Sequence, residues 1–257
     1  MKLFQAISLI IFSIFAMQSN AAINPGTDYD QGGELIFSVW DHATSTSYTL
    51  DLGINTRNFD GNGTYTYDLS SDENWEYFKA RTYDLYPNSI EWNVAGSDRD
   101  NRIPSTNGIM TTERIDENIP YSVTDISLGA FQFFQQELEE YQHFLDGNSI
   151  DYAKNHSYFL EGRDYTGLTE NWGAWGGNLG DLTTAGYGES MEFWSLTTGG
   201  TWYRDKHAIH EKLAGTWTLA NNQLLYTAAA PVPVPAAVWL FGSALAGLVG
   251  VSRRKRS

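Results

Sequence analysis

Few residues of this chain are of a type and spacing that could do chemistry, and each has a plainer reading beside it. Trp172 and Trp175 lie three apart in a glycine-rich stretch, with Trp194 and Trp202 further along. A sugar ring can stack its C–H face on an exposed indole, so Trp172 and Trp175 are the candidate sugar-binding residues. The competing account is that the rings pack a core. Three acidic clusters could contribute to a calcium site: Asp28 with Asp30, Asp98 with Asp100 and Asn101, and Asp60-Gly61-Asn62. Calcium takes roughly six to eight oxygens; each cluster supplies only a few, and none has EF-hand spacing, so turn chemistry is the alternative. His207, His210 and Glu211 form a histidine cluster. A zincin needs His-Glu-x-x-His, which this is not, so the segment reads as a surface helix turn. Gly188-Glu189-Ser190-Met191-Glu192 lacks the second glycine of a serine-hydrolase elbow. Glu137, Glu139, Glu140, Glu161 and Glu170 could supply a glycosidase pair, but that needs a separation that only three dimensions fix.

Composition narrows the field. The 257 residues include no cysteine, which excludes disulfides, thiol catalysis, cysteine-bound zinc and iron–sulfur clusters. All 31 acidic residues lie between positions 22 and 230, against 11 basic ones, a formal charge of −20 for that region. Such a surface repels phosphate backbones, so no nucleic-acid partner is expected. It suits a soluble extracellular protein that attracts cations, or one that is simply soluble. No cofactor is expected, with calcium at Asp28, Asp30, Asp98 and Asp100 as the weak exception.

The elements that would position these residues are mostly strands. Glu34–Trp40 reads as one strand, and Tyr48–Ile54 alternates apolar with polar residues, as a half-buried strand does. Asp60-Gly61-Asn62-Gly63 marks a turn, after which Thr64–Leu69 resumes the alternation. Ile90, Trp92 and Val94 mark another strand, closed by a polar turn from Ser97 to Arg102. Met191–Leu196, Thr201–Arg204, Thr216–Leu219 and Gln223–Tyr226 read as later strands, the last two joined at Asn221-Asn222, which tolerates positive φ. One segment has helical spacing: Phe131, Phe134, Leu138, Tyr141 and Leu145 form an apolar stripe. An amphipathic helix is expected from Ala130 to Asp146, with Ser127 as N-cap and Gly147 as stop. Thr169–Gly188 is expected to be a long surface loop. The fold class is therefore mainly β: a jelly-roll-like β-sandwich over residues 22–230, with one amphipathic helix.

Both ends read as targeting segments. Lys2 precedes the apolar run Leu9–Met17, and Ser19-Asn20-Ala21 places small residues where a signal peptidase cuts, after Ala21 or Ala22. An uncleaved anchor is the alternative. At the other end, Pro231, Pro233 and Pro235 make a stiff extended stretch, Ala236–Val251 an apolar run, and Arg253-Arg254-Lys255-Arg256 a basic cluster that stays cytoplasmic. The series Val232-Pro233-Val234-Pro235-Ala236-Ala237, Trp239-Leu240-Phe241-Gly242-Ser243, Gly247-Leu248, Gly250 and Arg253-Arg254 resembles the PEP-CTERM sorting signal, in the variant written VPLPA-CTERM. Val234 stands where leucine is usual and Ala244 where glycine is usual. Gly33–Ile54 also looks like the start of other exosortase-sorted proteins, a looser likeness.

The resemblance implies a Gram-negative exported protein. It would be held in the inner membrane by its tail, cut near Val232–Pro235 by exosortase, and released to the cell surface or medium, where such substrates go with exopolysaccharide and biofilm. Signal peptidase, exosortase and, less directly, exopolysaccharide are the partners expected. An ordinary single-span tail over 231–257 is the alternative. The role expected of residues 22–230 is non-enzymatic, structural or adhesive, followed by a lectin-like carbohydrate-binding module and then by a secreted glycoside hydrolase.

Overall fold

The computed structural model describes residues 23, 32–82, 89–98, 108–115, 135–136, 138, 140–142, 145, 157–161, 183–197 and 208–229. Within them the chain is mainly β. The strands are β1 (Glu34–Asp41), β2 (Thr46–Asn55), β3 (Thr64–Asp68), β4 (Ile90–Asp98), β5 (Gly108–Arg114), β6 (Ser157–Glu161), β7 (Ala185–Gly186), β8 (Ser190–Thr197), β9 (Ile209–Ala220) and β10 (Gln223–Ala228). They join in one antiparallel sheet, in the order β3-β10-β9-β8-β5-β4-β1-β2-β6, with β7 alongside β4.

The sheet curls. One apolar cluster gathers side chains from both ends of the strand order, which a flat sheet could not do. It holds Phe37 and Val39 of β1, Tyr48 and Leu50 of β2, Trp92 of β4, Phe193 of β8, Trp217 of β9 and Tyr226 of β10, with Tyr65 and Tyr67 of β3 packed against it. Phe59, from the link between β2 and β3, lies among the rings of Phe193, Tyr226, Tyr65 and Trp217, at centroid distances of 5.0 to 6.4 Å. The Tyr67 hydroxyl donates to the Leu52 carbonyl at 2.7 Å, tying one end of the roll to the other. Full burial of each large apolar side chain contributes about 1.5–3 kcal/mol, so this inner face carries most of the apolar stabilisation.

The margins of the roll meet around a helix that local apolar spacing did not announce, α1 (Glu73–Arg81). Asp72 is its N-cap, Glu73 and Glu76 sit at the positive end of its dipole, and Lys79 and Arg81 at the negative end. Trp75 and Phe78 face inward and are fully buried. Trp75 Nε1 donates to Asn222 Oδ1 at 3.1 Å, which fastens α1 to the turn between β9 and β10.

The sheet's other face is also covered. Leu138, Tyr141 and Leu145, all in helical conformation, pack on Ile36, Ala95, Ile109 and Leu196. Those three belong to the stripe expected of the amphipathic helix; Ser127, Phe131 and Phe134 lie outside the described residues. Ile23 is buried in the same cluster. Being covered on both sides, β1 after Glu34 and the first half of β2 are buried, and only the end of β2 shows the half-exposed pattern that alternation suggested.

Several boundaries differ from the sequence expectation. The strand at Ile90 runs on through Ser97 and Asp98, where a turn was expected, because both pair with β5. The expected strand Thr216–Leu219 is the buried end of β9, whose first residues are solvent-facing and break the alternation. Asn221 and Asn222 do form the hairpin turn, at φ 53° and 58°. Asp60-Gly61-Asn62 also turns the chain, with Gly61 at φ 71°, but the strands on either side do not pair with each other: β3 pairs with β10. Ala185–Gly186, within the expected surface loop, pairs with Trp92 and Glu91. Thr201–Arg204 lies outside the described residues.

Candidate functional site

Of the residues singled out for chemistry, the structure describes a minority. Trp172 and Trp175, Asp28, Asp30 and Asp100, His207, and the tail residues Val232, Pro233, Val234, Pro235, Arg253 and Arg254 all lie outside the described residues.

Asp98, the described member of the calcium candidates, ends β4 and is nearly buried. Arg57 approaches it as a two-toothed fork, Nε to Oδ2 at 2.6 Å and Nη2 to Oδ1 at 2.7 Å. Both carboxylate oxygens are thus already engaged with a fixed cation, the arrangement in which Arg–carboxylate pairing is strongest. Asp60, in the other described cluster, accepts from the Asn62 backbone N–H at 2.9 Å, and that bond holds its carboxyl below the usual range. This is the turn chemistry that competed with calcium. Among the described residues no group of three or more His, Asp or Glu side chains could hold a metal ion.

His210 and Glu211 sit on β9 rather than on a helical turn, so successive side chains point to opposite faces. The His210 ring packs beside Trp194 at 5.9 Å, and Lys212 lies over the same indole while also pairing with Glu192. Trp194 is therefore occupied by its own neighbours. Of the glycosidase candidates, Glu140 accepts from Gln136 at 2.8 Å and Glu161 from Arg81 at 2.9 Å.

The densest polar constellation was not foreseen. Asp72 is buried, and its carboxylate receives donors from the backbone N–H of Asn74 (2.8 Å) and Trp75 (3.3 Å), from Ser157 Oγ (2.9 Å) and from the Tyr48 hydroxyl (3.0 Å). Burial first, then the Asp72 charge, push the Tyr48 hydroxyl well above 10. Asn74 donates in turn to the Ser157 carbonyl and hydroxyl. A base or nucleophile needs an accessible lone pair; this carboxylate is buried, with Oδ1 taken by the helix it caps and by Ser157, and Oδ2 by Tyr48. The network fastens α1 to β2 and β6. The signal that could have found it is the run Asp72-Glu73-Asn74-Trp75-Glu76, an N-cap followed by first-turn acids.

A second polar row crosses the face under the helical residues. Asn93, Ser38 and Thr49 are directly opposite one another on β4, β1 and β2. Ser38 Oγ and Thr49 Oγ1 are 3.1 Å apart, and Thr49 Oγ1 is 2.7 Å from the Tyr141 hydroxyl. Asn93 is fully buried, and among the described residues neither its Nδ2 nor its Oδ1 has a hydrogen-bond partner; Trp40 Nε1 and Gln142 Oε1 are in the same condition.

The chain matches no protein-family model, no curated protein and no solved structure. Among the described residues no helix is long and apolar enough to cross a membrane.

Proposed function

We propose that this chain is an exported cell-surface protein that exosortase processes, and that residues 22–230 serve as a non-enzymatic structural or adhesive component of the exopolysaccharide matrix. The observation that carries this reading is the order of parts in the final residues: alternating prolines at 231, 233 and 235, the apolar run 236–251 and the arginine cluster at 253–256. The signal peptidase acts at Ala21 or Ala22, just before Ile23. The tail then arrests the chain in the inner membrane, with the motif Val232–Pro235 at its outer face. In this reading the curled sheet is the framework of a jelly-roll-like sandwich, whose acidic surface keeps it dispersed among matrix polymers.

Two alternatives differ in what the domain does once delivered. A lectin-like module would use Trp172 and Trp175, with calcium assisting at Asp28, Asp30 or Asp100. A glycoside hydrolase would need two facing carboxylates. A glycan array with the full chain, with and without calcium, separates the module from the structural role.

The sorting reading is tested by deleting the exosortase gene. The deletion should leave a longer, membrane-retained protein, and wild-type protein shed into the medium should lack Trp239–Ser257. An unchanged C-terminus and location in the mutant would defeat the reading.

A further inference from the structure

The link between β2 and β3 holds a residue pattern that its turn does not use up. Asp60-Gly61-Asn62-Gly63-Thr64 places an asparagine two residues before a threonine and two residues after an aspartate, with no proline between. Asn-x-Ser/Thr is the acceptor pattern for an N-linked glycan. Transferases of the bacterial kind also ask for a carboxylate two positions before the asparagine, where a cationic side chain of the enzyme can pair with it. The chain has a second Asn-x-Ser/Thr, Asn155-His156-Ser157, with Ala153 in place of the acid.

The fold presents the first pattern and withholds part of the second. Asp60, Asn62 and Thr64 are all exposed. The link is pinned from behind: Phe59 is buried in the ring cluster, and the carbonyl of the buried Gly61 accepts from the Tyr226 hydroxyl at 3.2 Å. Thr64 opens β3, and its side chain lies on the strand's solvent side, alternating with the half-buried Tyr65. Among the described residues β3 pairs only with β10, so the pattern lies at a margin of the sheet. Ser157, by contrast, is fully buried, and its hydroxyl donates to Asp72 at 2.9 Å. Asn155 lies outside the described residues.

We propose that Asn62 is an N-glycosylation site, whose side-chain nitrogen takes an oligosaccharide from a polyprenyl-pyrophosphate donor. In that step Asn62 Nδ2 bonds to the anomeric carbon of the first sugar. The bond from that carbon to the pyrophosphate oxygen breaks, the lipid pyrophosphate leaves with the electron pair, and Nδ2 gives up one proton. Nothing is oxidised or reduced. Asp60 and Thr64 are the recognition residues on either side, one offering a charge and the other a hydroxyl. The inference rests on the export reading, because such a transferase and its donor act beyond the inner membrane, but it does not need exosortase. Export also favours access: β10 lies far along the chain, so Asp60–Thr64 emerges before its strand has a partner. A glycan on Asn62 extends into solvent and leaves the ring cluster behind Phe59 as it is.

The test is to express the full chain in a Gram-negative host that carries a bacterial oligosaccharyltransferase and its lipid-linked oligosaccharide, and to weigh the peptides spanning Asn62 and Asn155. The Asn62 peptide should carry the added glycan mass, and the Asn155 peptide should not. Asn62→Gln and Thr64→Val should abolish the addition; valine keeps the branched shape that suits a strand and loses only the hydroxyl. Asp60→Asn, which retains a side-chain acceptor for the turn, should slow the addition about tenfold, the scale of one lost charge-assisted hydrogen bond. The amino terminus of the same protein separates the two ideas. A chain already trimmed at Ala21 or Ala22 with Asn62 bare overturns the inference and leaves export standing. A chain that keeps residues 1–21 counts against export, and the acceptor is then tested by giving the purified full chain, in detergent, to the same transferase and donor. There too a bare Asn62, beside an acceptor peptide that is modified in the same tube, overturns the inference, and a glycan on Asn62 that depends on Thr64 upholds it.

Discussion

The Tyr48 hydroxyl donates to Asp72 across 3.0 Å, and through that bond the second strand of the sheet grips the cap of the helix that closes the roll. Tyr48→Phe keeps the ring, its edge contact with Trp75 and its volume, but takes a donor from a buried carboxylate. The expected cost is about 1.5–3 kcal/mol, read from the shift in urea midpoint.

The same bond predicts alkaline behaviour. Tyr48 is held well above the ordinary tyrosine value of 10.0, chiefly by burial. Its contribution is therefore fully present below about pH 10 and lost as pH rises toward the folded-state value, because only the unfolded chain releases the proton there. Stability should fall more steeply above pH 10 in wild type than in Tyr48→Phe. Equal slopes would show that Tyr48 ionises alike in both states.

Arg57 and Asp98 form a pair in which the acid is nearly enclosed and the base is about one-third exposed. Arg57→Gln should cost about 2 kcal/mol, since it strands a carboxylate in a poorly hydrated place. Replacing both residues with apolar ones, Arg57→Met with Asp98→Leu, should recover much of that loss. A double variant as weak as the single would mean that the pair itself, rather than the stranded charge, sets the cost.

The two asparagines of the β9–β10 turn should respond in opposite ways to glycine. Both have positive φ, where glycine is unstrained. Asn221→Gly should be neutral or stabilising. Asn222→Gly should be net destabilising, by about 1 kcal/mol, because the Trp75 Nε1 donor loses its acceptor. Midpoints that move the same way would deny Asn222 its role in holding α1.

Asn93 is fully buried, with neither end of its amide hydrogen-bonded to any described residue. Asn93→Leu, which has the same branched shape and the same number of side-chain heavy atoms though a larger volume, should raise stability by about 1 kcal/mol by removing an uncompensated polar group. A lower thermal midpoint would show that the amide is satisfied in solution.

What could be read from the sequence was what is local. Strands β1 to β4, the Asn221-Asn222 turn and the Leu138–Tyr141–Leu145 stripe are visible because neighbours in sequence carry the pattern. Helix α1 escaped notice because only Trp75 and Phe78 face the core, too few for a visible period. β5 was missed because both its faces are covered, which leaves no alternation. Asp98 looked like part of an acidic turn; its partner Arg57 is 41 residues away, and no local spacing reveals such a pairing. His210 and Glu211 were placed on a helical turn, but the exposed start of β9 carries no pattern that separates strand from turn.

Strand β3 has β10 as its neighbour in the sheet, so Tyr65 lies opposite Tyr226, more than half the chain length away. A polypeptide delivered amino end first, from a ribosome or through a membrane channel, would emerge for most of its length as an unfinished roll. Phe59 and Tyr65 would wait in water for a partner not yet delivered, and closing so wide a span makes that step slow. The last six strand residues act as a latch. A chain shortened just before Gln223 would not be a slightly smaller version of this protein; it would be a sheet with one margin unfastened and its ring cluster open.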